Sequence, residues 1–135
     1  VVRDGEVVDR HREVSGAALV VQNGLGYDPF MTTIERADPS SSRLVLDVQR
    51  LRHVPAATPN PHLWYTPATM PAVARALAAD LARLQPAHAG YFRGKERTFV
   101  ASLHMVKECA LELQQNQAFG PIFLRKRAKP DTQSE

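Results

Sequence analysis

The sequence predicts an α/β fold, a small parallel sheet flanked by helices and followed by one long helix. Three observations predict it. Two compact β-rich runs, Ala17 to Gln22 and Arg43 to Val48, alternate with helical patterns. The helical pattern between them is long enough for a right-handed crossover, which requires the two strands to run parallel. The stripe Phe92, Phe99, Leu103, Val106, Ala110, Leu113 then recurs at one seven-residue step followed by steps of three or four, the mark of a long amphipathic helix.

Residues 6 to 16 mix charges with Val7, Val8 and Val14 ahead of Gly16, a short helix with a glycine C-cap. The first strand, Ala17 to Gln22, is Val-rich and reads as buried on both faces. Tyr27 to Ala37 follows as a helix with Asp28 as N-cap and Pro29 at its first position. Asp38-Pro39-Ser40-Ser41-Ser42 breaks it before the second strand. Leu51 to Pro59, with Pro55 and Pro59, is a loop. Thr66 reads as the N-cap and Pro67 as the first residue of the next helix, whose apolar series is Met70, Val73, Ala74, Leu77, Leu81, Leu84. Gln85-Pro86 ends it. The chain therefore divides into an α/β unit over 1–86, a long helix over 87–116 and a disordered basic tail over 117–135.

At 135 residues, with 44% hydrophobic and 23% charged residues, the chain has the size and composition of a single globular domain. Its apolar runs are far shorter than the ~20 residues a transmembrane helix needs, and its start has no signal-peptide pattern. The single cysteine, Cys109, excludes an internal disulfide and a cysteine-based zinc site. The net charge of +3 is concentrated in Arg125-Lys126-Arg127-Ala128-Lys129, which reads as a solvated tail rather than a nucleic-acid surface. Gly24-Leu25-Gly26 has Pro29 where a dinucleotide-binding turn needs its third glycine. For nucleophilic catalysis the sequence offers neither a nucleophile elbow nor a Cys-His arrangement.

The residue with legible chemistry is His62, in Asn60-Pro61-His62-Leu63-Trp64-Tyr65-Thr66-Pro67. Pro61 and Pro67 stiffen the backbone on either side of it. A histidine imidazole is largely neutral at physiological pH and binds zinc through a ring nitrogen. On the residues alone, His62 is either a metal ligand or a hydrogen-bonded structural residue. Trp64 either shields it from water or packs at the helix start. His11, His53, His88 and His104 show no ligand spacing with it.

From Asn60 to Leu103, through Asn-Pro-His-Leu-Trp, Pro-Ala-Thr-Met-Pro-Ala-Val-Ala-Arg-Ala-Leu and Leu-Gln-Pro-Ala-His-Ala-Gly-Tyr-Phe, the chain closely resembles the zinc- and manganese-binding solute-binding proteins of bacterial metal ABC transporters. The stretch Leu19 to Met31 resembles the same family's strand, glycine turn and helix, so the resemblance spans about residues 12 to 103. It implies a metal ion, zinc or manganese, held between two lobes, with His62 as one of two histidines from the N-terminal lobe. It also implies that Asn23, Gly24, Tyr27, Asp28 and Trp64 line the cleft, and that the long helix connects the lobes. Residues 1–86 would then be a partial N-terminal lobe.

The second N-lobe histidine of such a site would fall near Val1 to Asp4, where there is none, and no C-lobe pattern is found from His104 onward. The expected metal affinity is accordingly weak or lost. The resemblance further implies an ABC transporter permease as partner and a periplasmic or extracytoplasmic location. A second reading is a degenerate, non-transporting fragment or interaction module that self-associates through the long helix.

Overall fold

A computed structural model of the chain describes residues 12–108, 111–115 and 122–126. They fall into two compact units that divide between Arg93 and Gly94. Residues 12–16 are helical (α1), and the predicted helix upstream of them lies outside the described residues. Next come β1 (Leu19–Gln22), α2 (Pro29–Ala37), β2 (Leu44–Asp47) and α3 (Val48–Leu51). A 3-10 turn at Leu63–Tyr65 leads into α4 (Thr69–Leu84), and a second at Pro86–His88 leads into α5 (Ala89–Lys107). The strands β3 (Leu111–Gln115) and β4 (Ile122–Lys126) follow.

The predicted parallel pairing is present, with β1 and β2 in register from Leu19 opposite Leu44 to Gln22 opposite Asp47. Val20, Ile34, Leu46, Val48, Leu63 and Ala78 are the buried apolar residues around this pair. The expectation of burial on both faces holds only in part. Val20 and Leu46 are buried, while their register partners Val45 and Val21 stay 40% and 47% exposed, so each sheet face is covered over one strand only. The helix α4 supplies part of that cover, lying against β2 and α3.

The second strand stops at Asp47 because that residue turns from strand partner to helix cap. Its carboxylate accepts from the Arg50 backbone N–H at 2.9 Å and from Gln22 Nε2 at 3.0 Å, and the residue is 9% exposed. Asp47→Ala should therefore lower stability by about 0.5–2 kcal/mol, the usual range for a lost N-cap. Asp47→Ser, which retains a capping oxygen, should recover part of this in urea denaturation. Equal stability of all three proteins would show that the cap carries none of the fold's free energy.

Two predicted boundaries move. The α4 helix begins at Thr69 with Ala68 as cap, not at Pro67 behind Thr66. Thr66 instead closes the preceding 3-10 turn, its N–H donating to the Leu63 carbonyl at 3.1 Å, and its extended ψ of 121° keeps it out of the helix, as a residue before proline prefers. The long helix ends at Lys107, so the expected span to 116 is too long. Leu111–Gln115 pairs antiparallel with Ile122–Lys126, with Leu113 opposite Leu124. Leu111–Gln115 falls inside the expected helix, and Ile122–Lys126 inside what the sequence assigns to a disordered tail. A strand pair satisfies the backbone groups of both segments at once, which a frayed helix end and a free tail do not. None of the 19 residues of α5 is buried, and Tyr91, Phe99 and Met105 are exposed.

Candidate metal site around His62

The site is built from the end of β1. Asn23 is followed by three consecutive residues at positive φ, Gly24 at 78°, Leu25 at 55° and Gly26 at 66°. This left-handed turn is closed by the Tyr27 N–H donating to the Gly24 carbonyl at 3.1 Å. A Cβ at Gly24 would lie 2.5 Å from Gln49 Cβ, so no larger residue fits there without a shift of the neighbouring chain. Gln49 holds the turn in place through its Oε1, which accepts from Leu25 N–H at 2.9 Å, and its Nε2, which donates to the Val54 carbonyl at 3.1 Å. Beyond the turn, Asp28 precedes α2 with Pro29 at the helix start as predicted, although the Asp28 side chain makes no cap bond.

The Asn23 side chain ties the start of this turn to the His62 loop. Asn23 Nδ2 donates to the Pro61 carbonyl at 2.8 Å, across 38 positions of sequence. The same carbonyl accepts the Leu63 N–H at 2.8 Å, and Leu63 is buried, so the loop is fixed on both sides of His62. Asn60 Oδ1 lies 3.0 Å from the His62 backbone nitrogen and 2.7 Å from its ring Nδ1.

His62 itself is exposed and sits among aromatic rings. Its centroid is 5.7 Å from Tyr27 and 5.1 Å from Trp64, and Tyr27 and Trp64 are 5.0 Å apart, all three pairs edge to face. Tyr65, 77% exposed, lies 6.0 Å from the His62 ring in a tilted arrangement. Such edge-on contacts hold the imidazole plane while leaving its rim open to solvent.

The sequence-predicted residues thus divide. Tyr27 and Trp64 meet His62, and Asn23 fixes its loop. Gly24 and Asp28 line a separate cleft of about 220 Å³ with Glu35, Asp47 and Arg50, in which one carboxylate oxygen of Glu35 is buried without a hydrogen-bond partner among the described residues. His62 is not part of that lining. Among the described residues no three His, Cys, Asp or Glu side chains gather into a group able to hold a metal ion, and His11 and Cys109 lie outside them. Asn60 and Gln49 were not legible as site residues. Asn60 carried the one available signal, an Asn-Pro turn directly before the histidine.

The family model of zinc-uptake complex component A, periplasmic, matches residues 8–116. The chain belongs to that family. The match extends the resemblance read from the sequence at both ends, past the residues from His104 onward in which no family pattern was visible. It takes in the whole of α5 and β3 but not β4. Searches of curated proteins and of solved structures return no match. In a periplasmic zinc-uptake component the metal ion is the cargo. No helix among the described residues is long and apolar enough to cross a membrane.

Proposed function

We propose that this chain binds a zinc or manganese ion as the periplasmic solute-binding component of an ABC importer, with His62 as a metal ligand and a transporter permease as partner. The family match over residues 8–116 carries this reading, and the clamped, edge-packed imidazole gives it a residue. Residues up to 86 serve as the N-terminal lobe and the long helix as its connector; binding and release, not catalysis, are the task. Asn23 holds the loop, Tyr27 and Trp64 restrict the ring, and Gly24 and Asp28 shape the adjoining cleft.

A complete structural zinc site yields about 10–16 kcal/mol through several ligands acting together. With one imidazole from the described residues, the affinity expected of this chain is micromolar or poorer, roughly 8 kcal/mol or less. Calorimetric titration with zinc and with manganese should show binding that falls at least about tenfold in His62→Ala, in line with removal of a ligand. Equal binding by both proteins would remove His62 from the site.

The face of α5 favours a second reading, a self-associating interaction module. Its 19 residues include none that is buried, and exposed apolar surface of that kind favours a second copy. Sedimentation at rising concentration separates the two, since a monomer throughout rules out the module.

A further inference from the structure

We propose that Asn60 is the positioning residue of His62, selecting the Nδ1–H tautomer and thereby leaving Nε2 as the nitrogen that can accept a metal ion. The inference rests on the reading of His62 as a ligand for its use, but its geometry stands apart from that reading. Asn60 Oδ1 accepts the His62 backbone N–H at 3.0 Å, so the amide atom facing the loop is the oxygen and not the NH2 group. The same oxygen lies 2.7 Å from His62 Nδ1. An acceptor at that distance requires a donor, and in a neutral imidazole the proton on Nδ1 places the lone pair on Nε2.

The local sequence dictates this arrangement. Asn60 and His62 are two positions apart, the spacing at which an asparagine side chain accepts a backbone N–H in an Asx turn. Pro61 between them has no N–H to compete and fixes its own φ. Asn23 Nδ2, at 2.8 Å from the Pro61 carbonyl, keeps that peptide in place from the end of β1. The edge contacts of Tyr27 and Trp64, at 5.7 and 5.1 Å, then oppose rotation of the ring away from Asn60. A ring nitrogen hydrogen-bonded to an oxygen while the other faces the metal is the usual outer-shell arrangement of a histidine ligand, and its loss typically costs about 10–100-fold in affinity.

The test reads the tautomer directly in metal-free protein. With 15N-labelled histidine at a pH of about 8, where imidazole is neutral, long-range proton–nitrogen correlations distinguish a protonated from an unprotonated ring nitrogen. The His62 signals are those missing from His62→Ala. Wild type should show a protonated Nδ1 and a bare Nε2, Asn60→Asp should keep that pattern because a carboxylate oxygen also accepts, and Asn60→Ala should lose it while its circular dichroism is unchanged. Zinc affinity should fall by about 10–100-fold in Asn60→Ala and by less in Asn60→Asp. A protonated Nε2 in wild type overturns the proposal even if Asn60→Ala does not fold, and so does an unaltered tautomer in a folded Asn60→Ala. If wild type shows the expected tautomer but binds no zinc, Asn60 positions the ring as inferred and it is the metal-binding reading that fails.

Discussion

Arg43→Ala lowers the unfolding free energy by about 2–4 kcal/mol, as expected for removal of a buried, multiply bonded guanidinium. Arg43 is 8% exposed, immediately before β2. Its Nη1 donates to the Asp38 carbonyl at 2.9 Å, and its Nη2 donates to the Ser15 carbonyl at 2.9 Å and to Asp38 Oδ2 at 3.2 Å. One side chain thus joins the end of α1, the end of α2 and the entrance to the second strand. Each hydrogen bond to a charged group contributes about 1.5–3 kcal/mol, and alanine also leaves two carbonyls without this donor. The upper end of a simple sum is not reached, because the Asp38 side chain is 47% exposed and water can replace the lost cation. Arg43→Lys should fall between wild type and alanine, since one ammonium does not reproduce the planar fork that serves both carbonyls. Urea denaturation measures all three, and a shift below about 1 kcal/mol for alanine would show that this joint carries little of the fold.

The elements that were legible in the sequence are those specified by short-range pattern. The Val-rich run at β1, the run at β2 and the Asp28-Pro29 start of α2 are each encoded within a few residues, and the crossover between them forces the parallel register. The fixed backbone around His62 was legible for the same reason, since Pro61 and Pro67 stand on either side of it. What was not legible depends on partners distant in sequence. Asn23 reaches Pro61 across 38 positions, and nothing in either local pattern announces the bond. Arg43 looks like a strand-end charge until Ser15, 28 positions away, is placed beside it. Beyond Lys107 the three- and four-residue period of Val106, Ala110 and Leu113 continues, but Leu111, Leu113 and their neighbours also alternate, and the pairing with β4 decides in favour of the strand. Thr66 met every local criterion of a cap, and its carbonyl does accept the Thr69 N–H at 2.8 Å, but a turn over Pro67 and Ala68 intervenes and the regular helix begins only at Thr69.

Gly24→Ala should cost about 2–5 kcal/mol, while Gly26→Ala, two residues on, should cost only about 1–2 kcal/mol. Both glycines have positive φ, 78° and 66°, so both substitutions bear the left-handed penalty of about 1–2 kcal/mol per residue. Their surroundings differ. A Cβ at Gly26 meets nothing within 4 Å, whereas at Gly24 it would lie 2.5 Å from Gln49 Cβ, 3.0 Å from Asp47 Oδ1 and 3.1 Å from Gln49 Oε1. The first of these neighbours is bonded directly to backbone, so relief requires moving the junction of β2 and α3 and not merely turning a side chain, an overpacking cost of about 1–3 kcal/mol. That junction also holds the site. The Gln49 N–H donates to the Asn23 carbonyl at 3.1 Å, and Asn23 in turn holds the Pro61 carbonyl, so displacement of Gln49 loosens the His62 loop. Gly24→Ala should therefore weaken zinc binding as well as stability, and Gly26→Ala should leave binding near wild type. Parallel urea denaturation and zinc titration of the two variants check this, and an equal cost of about 1–2 kcal/mol at both positions would show that the close approach of Gln49 to Gly24 does not constrain the fold.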